Sequence, residues 1–208
     1  MSKNYLITSQ SELRKLFKNE TLFLNKNSKL IIHHSVTLEN NIVFKGDITI
    51  KKNSKICSNS TITNSYIGSD NLIRENSIII NTTLKNKNII GPMCFLRDNY
   101  INKNNIVGTF VEMTRSNLNS NNRISHRAFI GDTKIFSNVI IGAGVTTCNF
   151  KNEKRLKSII HSGALIGSGT QLIASIKIGN NVIVGAGSVI TKNIKSNLKI
   201  IQKRNIEN

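Results

Sequence analysis

Tryptophan is absent from this 208-residue chain, proline occurs once, and aromatic residues make up only 5%. A core built on large rings is therefore excluded. Acidic residues are also scarce: 11 Asp and Glu stand against 29 Lys and Arg, a formal net charge of +18. The three cysteines, Cys57, Cys94 and Cys148, are an odd number at wide spacings. That excludes a disulfide framework and a paired-cysteine metal motif, and they read as small core residues of a reduced, cytoplasmic protein. No apolar run approaches the roughly 18 to 20 residues needed to cross a bilayer. The first thirteen residues lack a charged-then-apolar signal pattern, so secretion is not expected. The length fits one domain with a small appendage.

What is abundant is isoleucine and asparagine, 34 and 31 copies. Isoleucine suits pleated surfaces, and asparagine tolerates left-handed backbone geometry at tight turns. Many short strands joined by tight corners are implied. Lys, Ile and Asn all have A/T-rich codons, so base composition is the first reading of the charge. The lysines are spread evenly along the chain and are not clustered among aromatics, so no nucleic-acid partner is expected. A general positive field still attracts small anionic ligands.

The aliphatic residues repeat every six positions. Ile32, Leu38, Phe44, Ile50, Ile56 and Ile62 form one run. The frame slips by one at Ile67, Leu84, Ile101, Leu118 and Ile135, which lie 17 apart, and later resumes at Ile160, Ile166, Leu172, Ile178, Val184 and Ile190. Neither a helix nor an ordinary strand has a period of six. A triangular coil does, with three short strands per turn and one aliphatic side chain from each directed at the axis. Gly follows the aliphatic at Ile67, Ile90, Ile130, Ile141, Ile166, Ile178 and Val184, where corners are required. The reading is an all-β, parallel β-helix, which as a solenoid needs covered ends.

Two segments break this frame. Residues 1–30 lack the repeat and form an N-terminal arm, in which Ser9 or Ser11, Glu12 and the stripe Leu13, Leu16, Phe17 predict a short helix. The coil proper is placed at 31–194. Within it, about 148–158 is an extruded basic loop, and 195–208 is a basic tail. Loops off rigid scaffolds often carry function.

Of the four histidines, His33 and His34 are neighbours expected to point to opposite faces, and His126 and His161 are isolated. No converging ligand set is visible, so no metal site is predicted. His126 lies between the axial residues Ile124 and Ile130, off the axis, where an imidazole could serve as a general base.

The runs Gly91-Pro-Met-Cys-Phe-Leu-Arg97, Val107-Gly-Thr-Phe-Val-Glu-Met113, Ser125-His126, Ile141-Gly-Ala-Gly-Val-Thr-Thr-Cys-Asn-Phe150 and Ile166-Gly-Ser-Gly-Thr-Gln171 resemble one family. It is the acetyltransferase half of the bacterial bifunctional enzyme that makes UDP-N-acetylglucosamine, a hexapeptide-repeat acyltransferase. The resemblance implies a left-handed coil, a homotrimer with sites in the clefts between subunits, and acetyl-CoA as co-substrate. It implies an amino-sugar phosphate, first glucosamine-1-phosphate, as acceptor. His126 falls on the catalytic base. Ala143, Asn149, Phe150 (for a Tyr), Ser168, Ala186 and Lys203 (for an Arg) fall on acetyl-CoA positions. Arg97, Glu112, Arg115, Phe129 (for a Tyr) and Arg155 (for a Lys) fall on the sugar side. Thr114 and Ile140 stand where the family has Lys and Asn. The donor side is thus kept better than the acceptor side. A different amino sugar, or a decayed trimeric scaffold beside a separate uridylyltransferase, stays open. No uridylyltransferase half is seen in this chain.

Overall fold

The computed structural model describes residues 3–202. Short strands of mostly two to four residues stack into three ten-stranded sheets, which are the three faces of one coil. Face A runs from Lys29–His33 through Thr83–Leu84 to Lys177–Ile178. Face B runs from Leu22–Leu24 through Glu112–Thr114 to Val189–Ile190. Face C runs from Thr37–Leu38 through Arg123–Ile124 to Lys199–Ile200. Successive turns pair in parallel, and Ile67, Leu84, Ile101, Leu118 and Ile135 stack directly on one another. The 17-residue spacing in the sequence is therefore one turn.

The axial residues read from the six-residue spacing are fully buried with few exceptions. Leu38 is only half-buried, because Thr37–Leu38 is the end strand of face C and has a neighbour on one side alone. Phe44, Met113 and Thr147 occupy the three axial places not filled by Ile, Leu or Val. The Thr147 hydroxyl accepts from the Gly131 amide at 2.7 Å, which makes a polar group tolerable there.

Asparagine serves the coil in two ways. Asn53, Asn104, Asn121, Asn138 and Asn181 take left-handed φ values at one outer corner. Inside, the buried Asn71, Asn88, Asn105 and Asn122 form a ladder, each side-chain oxygen accepting from the backbone of the next turn at 2.8 to 2.9 Å. That corner would otherwise leave buried amides unpaired.

Both ends of the described coil extend beyond the span legible in the spacing. The first rung of face B is Leu22–Leu24, and Lys199–Ile200 still pairs on face C. Asn4–Ile7 pairs antiparallel with Lys29–His33. The helix follows at Gln10–Phe17. Ser9 is its cap, with Glu12 closing a capping box, and Leu13 is its buried residue. Strand and helix together close the N-terminal end. His33 ends its strand, so its ring does not oppose that of His34 as expected. The two centroids lie 4.3 Å apart. The basic insertion is an antiparallel hairpin of Phe150–Lys151 with Lys154–Arg155, turning at Asn152 and Glu153, both with positive φ. No helix among the described residues is long and apolar enough to cross a membrane.

Candidate active site

The corner between faces C and B carries the predicted donor-side residues in one column. From Val107 to Val184 each axial residue of face C is followed by Gly or Ser, then the corner residue, then a residue of positive φ. This places Thr109, His126, Ala143, Ser168 and Ala186 one above another. The ladder that fixes them runs from Arg127 N to Thr109 O, Gly144 N to His126 O, Gly169 N to Ala143 O and Gly187 N to Ser168 O, at 2.7 to 2.9 Å. The rungs are tightly stacked: a Cβ on Gly142 would lie 2.5 Å from the Ser168 amide, and one on Gly167 2.4 Å from that of Ala186. Glycine at these places lets the corner backbones approach.

His126 is exposed, and Gly108, one turn earlier, leaves its ring uncovered; a Cβ there would stand 3.4 Å from Nδ1. Among the described residues no side chain hydrogen-bonds the His126 ring. The amides of Ala143 and Ser168 likewise meet no acceptor among the described residues. The corner therefore offers a base and two free N–H donors along one line.

The sugar-side residues lie on face B and at its far corner. Phe95, Glu112, Phe129 and Thr146 stack outward in register, and Arg97 stands over Thr114. Arg97 donates to the Thr114 hydroxyl at 3.4 Å and lies 3.8 Å from the Asp98 carboxylate. Arg115 is committed elsewhere. Its Nε and Nη2 each donate to Asp132 at 2.8 Å, and Nη1 donates to Thr114 at 2.9 Å. Asp132 is 8% exposed, and the Arg115 guanidinium holds its carboxyl below the usual value. Asn149 also donates to Asp132. Phe150 is 65% exposed, and Arg155 stands opposite it on the hairpin. Ile140 lies outward on face C. Lys203 lies outside the described residues.

One chain thus unites His126, Ala143, Ser168 and Ala186, and sets Arg115 and Asn149 at the opposite edge of face B. Asp132 is the residue that sequence reasoning passed over. Its signal was there: Asp98, Arg115, Asp132 and Asn149 are spaced by 17, one full turn. Among the described residues the three metal-type ligands that converge are Glu39, Cys57 and Glu75. There the Glu39 carboxylate holds Lys55 at 2.6 Å and the Ser58 amide at 3.0 Å, and burial pushes the Cys57 thiol up to about 11.

Residues 157–192 match the family model of bacterial transferase hexapeptide, six repeats. The chain is 37% identical over 169 residues to the bifunctional protein GlmU of Wigglesworthia glossinidia brevipalpis, covering 81% of this chain and 37% of that protein. It is 38% identical over 155 residues to GlmU of Thermodesulfovibrio yellowstonii, covering 74% and 34%. The chain therefore spans just over a third of the length of these relatives. Among solved structures, LpxA of Bacteroides fragilis, a UDP-N-acetylglucosamine acyltransferase, superposes with a TM-score of 0.57 at 16% identity, over 86% of this chain and 69% of that one. That likeness is one of fold, the left-handed parallel β-helix. A three-faced coil of six-residue repeats, together with this identity, places the chain in the hexapeptide-repeat acyltransferase family, as a relative of the C-terminal acetyltransferase half of the GlmU proteins.

Proposed function

We propose that this chain is an acetyl-CoA-dependent N-acetyltransferase acting on an amino-sugar phosphate, with glucosamine-1-phosphate as the first candidate acceptor. The observation that carries the reading is the corner column, an exposed imidazole in line with the free amides of Ala143 and Ser168. Acetyl transfer needs those parts. The amine nitrogen attacks the thioester carbonyl carbon, and His126 takes the proton from that nitrogen. The carbonyl oxygen gains charge, which amide donors at the corner stabilise. The carbon–sulfur bond then breaks, and the coenzyme thiolate leaves and receives the proton. No nucleophilic side chain and no metal takes part. Ser168, Ala186 and the Asn149–Phe150 segment are assigned to the coenzyme, and Lys203 to its far end. Arg97 and Arg155 supply positive charge for the acceptor phosphate.

A single chain leaves this corner open, which supports a homotrimer in which a neighbour completes each site. Faces B and C, which meet at the His126 corner, both carry exposed aliphatic or aromatic ladders suited to that packing. The proposed place of work is the cytoplasm, where acetyl-CoA and sugar phosphates are available.

A second reading keeps the chemistry and changes the sugar. It is favoured by Arg115, whose guanidinium is engaged by Asp132 and Thr114, and by apolar Phe129 and Ile140. Profiling amino-sugar acceptors at fixed acetyl-CoA separates the two. A scaffold beside a uridylyltransferase would bind no acetyl-CoA, and a thermal-shift titration tests that directly.

The decisive assay is thiol release with glucosamine-1-phosphate, on the native chain and on His126→Ala. Loss of a general base lowers turnover by roughly 10²- to 10⁴-fold, with the oligomer unchanged. Equal turnover in the two proteins removes His126 from the mechanism.

A further inference from the structure

We infer that Asp132 is a positioning residue whose carboxylate ties Arg115 and Asn149 into one unit and so sets where the 150–155 hairpin stands over the acyl donor held at the corner of a neighbouring copy. The inference rests on the acetyltransferase reading above.

The hairpin cannot orient itself. It has two strands of two residues each, and residues 150–155 are all exposed. A lone two-stranded ribbon is marginal in water, so its direction must be fixed at its feet. Both feet meet at Asp132. At the entry, Asn149 donates to Oδ2 of Asp132. At the exit, the Ser158 amide donates to the main-chain carbonyl of Asp132 at 3.2 Å. The feet are also joined to each other, the Leu156 amide donating to the Asn149 carbonyl at 2.8 Å. Asp132 is in turn held from the previous turn. Arg115 grips both carboxylate oxygens, and the Asp132 amide donates to the Thr114 carbonyl at 3.0 Å. Gly131 leaves room for the arrangement, since a Cβ there would lie 2.5 Å from the side-chain Nδ2 of Asn149 that donates to Asp132.

Three donors converge on the two oxygens of one carboxylate, which has lone pairs for all of them. An amide in its place has one acceptor oxygen and cannot serve the guanidinium fork and Asn149 together. Asp132→Asn therefore frees either the fork or the hairpin foot. The charge left on Arg115 could also unfold the region, so a second variant, Asp132→Gly with Arg115→Gln, removes the carboxylate and its counter-charge. Glycine accepts the φ of 49° at this position without strain.

The test measures hydrogen exchange of the hairpin amides in full-length protein, together with the dissociation constant and KM for acetyl-CoA and kcat. In both variants hairpin exchange is expected to quicken, and the acetyl-CoA constants to rise roughly tenfold, the scale of one charge-assisted hydrogen bond, while in Asp132→Asn, which keeps Arg115, kcat stays within about threefold of the native value. Rungs away from 114–132 keep their native exchange. Unchanged hairpin exchange in a native protein that binds acetyl-CoA overturns the role of Asp132 alone. A quickened hairpin with unaltered acetyl-CoA constants also overturns it, because Asp132 is then only structural. A native chain that binds no acetyl-CoA overturns the functional reading, and the donor role of Asp132 with it, whatever the hairpin does.

Discussion

Single residues of this coil act within stacks of turns separated by one β spacing, and that makes small changes costly. Gly142 sits one place before the corner column, where an added methyl would meet the Ser168 amide at 2.5 Å and its Cα at 2.8 Å. Both obstacles belong to the next rung's backbone and cannot rotate away. Gly142→Ala is expected to destabilise by about 1–3 kcal/mol, the range for overpacking, read by urea denaturation. The same shift opens the spacing between His126 and Ser168, so acetyl-CoA binding should weaken in parallel. Unaltered stability and binding would mean the rungs separate freely.

Glu39 gives a second residue-scale prediction, on pH. The Lys55 ammonium and the Ser58 amide hold its carboxyl at about 2, against an ordinary 4.5. A depressed folded value stabilises the native state fully above 4.5, and the contribution fades as pH falls from there through 2. Native protein should therefore exceed Glu39→Gln in melting temperature by a constant margin at neutral pH, and the margin should shrink below 4.5. A margin independent of pH across that window would show that the pairing does not stabilise the fold.

At the scale of elements, the regular strands were the legible part, because each axial residue recurs at a fixed step and buries one side chain. The elements at the ends were less so. Asn4–Ile7 is four residues with one buried side chain, too short to show any period. Leu22–Leu24 is a genuine rung, yet the next strand of face A begins only at Lys29, and the Asn25–Ser28 turn between them carries no aliphatic. The basic insertion was legible as an interruption, but not as a hairpin, since pairing of Phe150 with Arg155 leaves no hydrophobic alternation. Asp132 is legible only through the 17-residue step: its partners lie one turn to either side, distant in the chain and adjacent only once the frame is wound. The helix was legible through its capping signal, which leaves Ser9 and Ser11 open in the sequence and falls on Ser9 in the structure. Ser9→Ala should cost about 0.5–2 kcal/mol, the usual range for an N-cap, because it removes the acceptor of the Glu12 amide and breaks the capping box. The effect should appear as earlier exchange of Gln10–Phe17 amides, with the middle rungs unchanged. Simultaneous loosening of all rungs would instead show that the cap and coil unfold as one unit.

At the scale of the whole molecule, the three faces are unlike. The outward column of face A is mainly polar or amphipathic, with Thr83, Tyr100, Asn117, Lys134, Ile159 and Lys177 in register. Face C presents Leu72, Ile89, Ile106, Ile140, Leu165 and Ile183, broken by Arg123. Ile140 is 46% exposed and Ile183 43%. Face B presents Phe23, Val43, Ile78 and Phe95 in its first half, broken by Thr61. A regular aliphatic ladder on a flat sheet is an association surface, and exposed sheets of this kind are otherwise a hazard. Two unlike apolar faces on one subunit suit a heterologous contact, face B of one copy on face C of the next, and three such contacts close a ring. The His126 corner lies where these faces meet, so association and activity should fail together. Placing Asp at both Ile89 and Ile183 puts two unpaired charges into the face C ladder without touching the axis, since both side chains point outward. Light scattering should then move from the mass of the proposed ring, three times the 23.1 kDa chain, to a single chain, with thiol release lost although His126 is intact. If the variant keeps the native mass, face C is not the contact. If it becomes a monomer and still releases thiol at the native rate, the site is complete within one coil, and the open corner needs no neighbour.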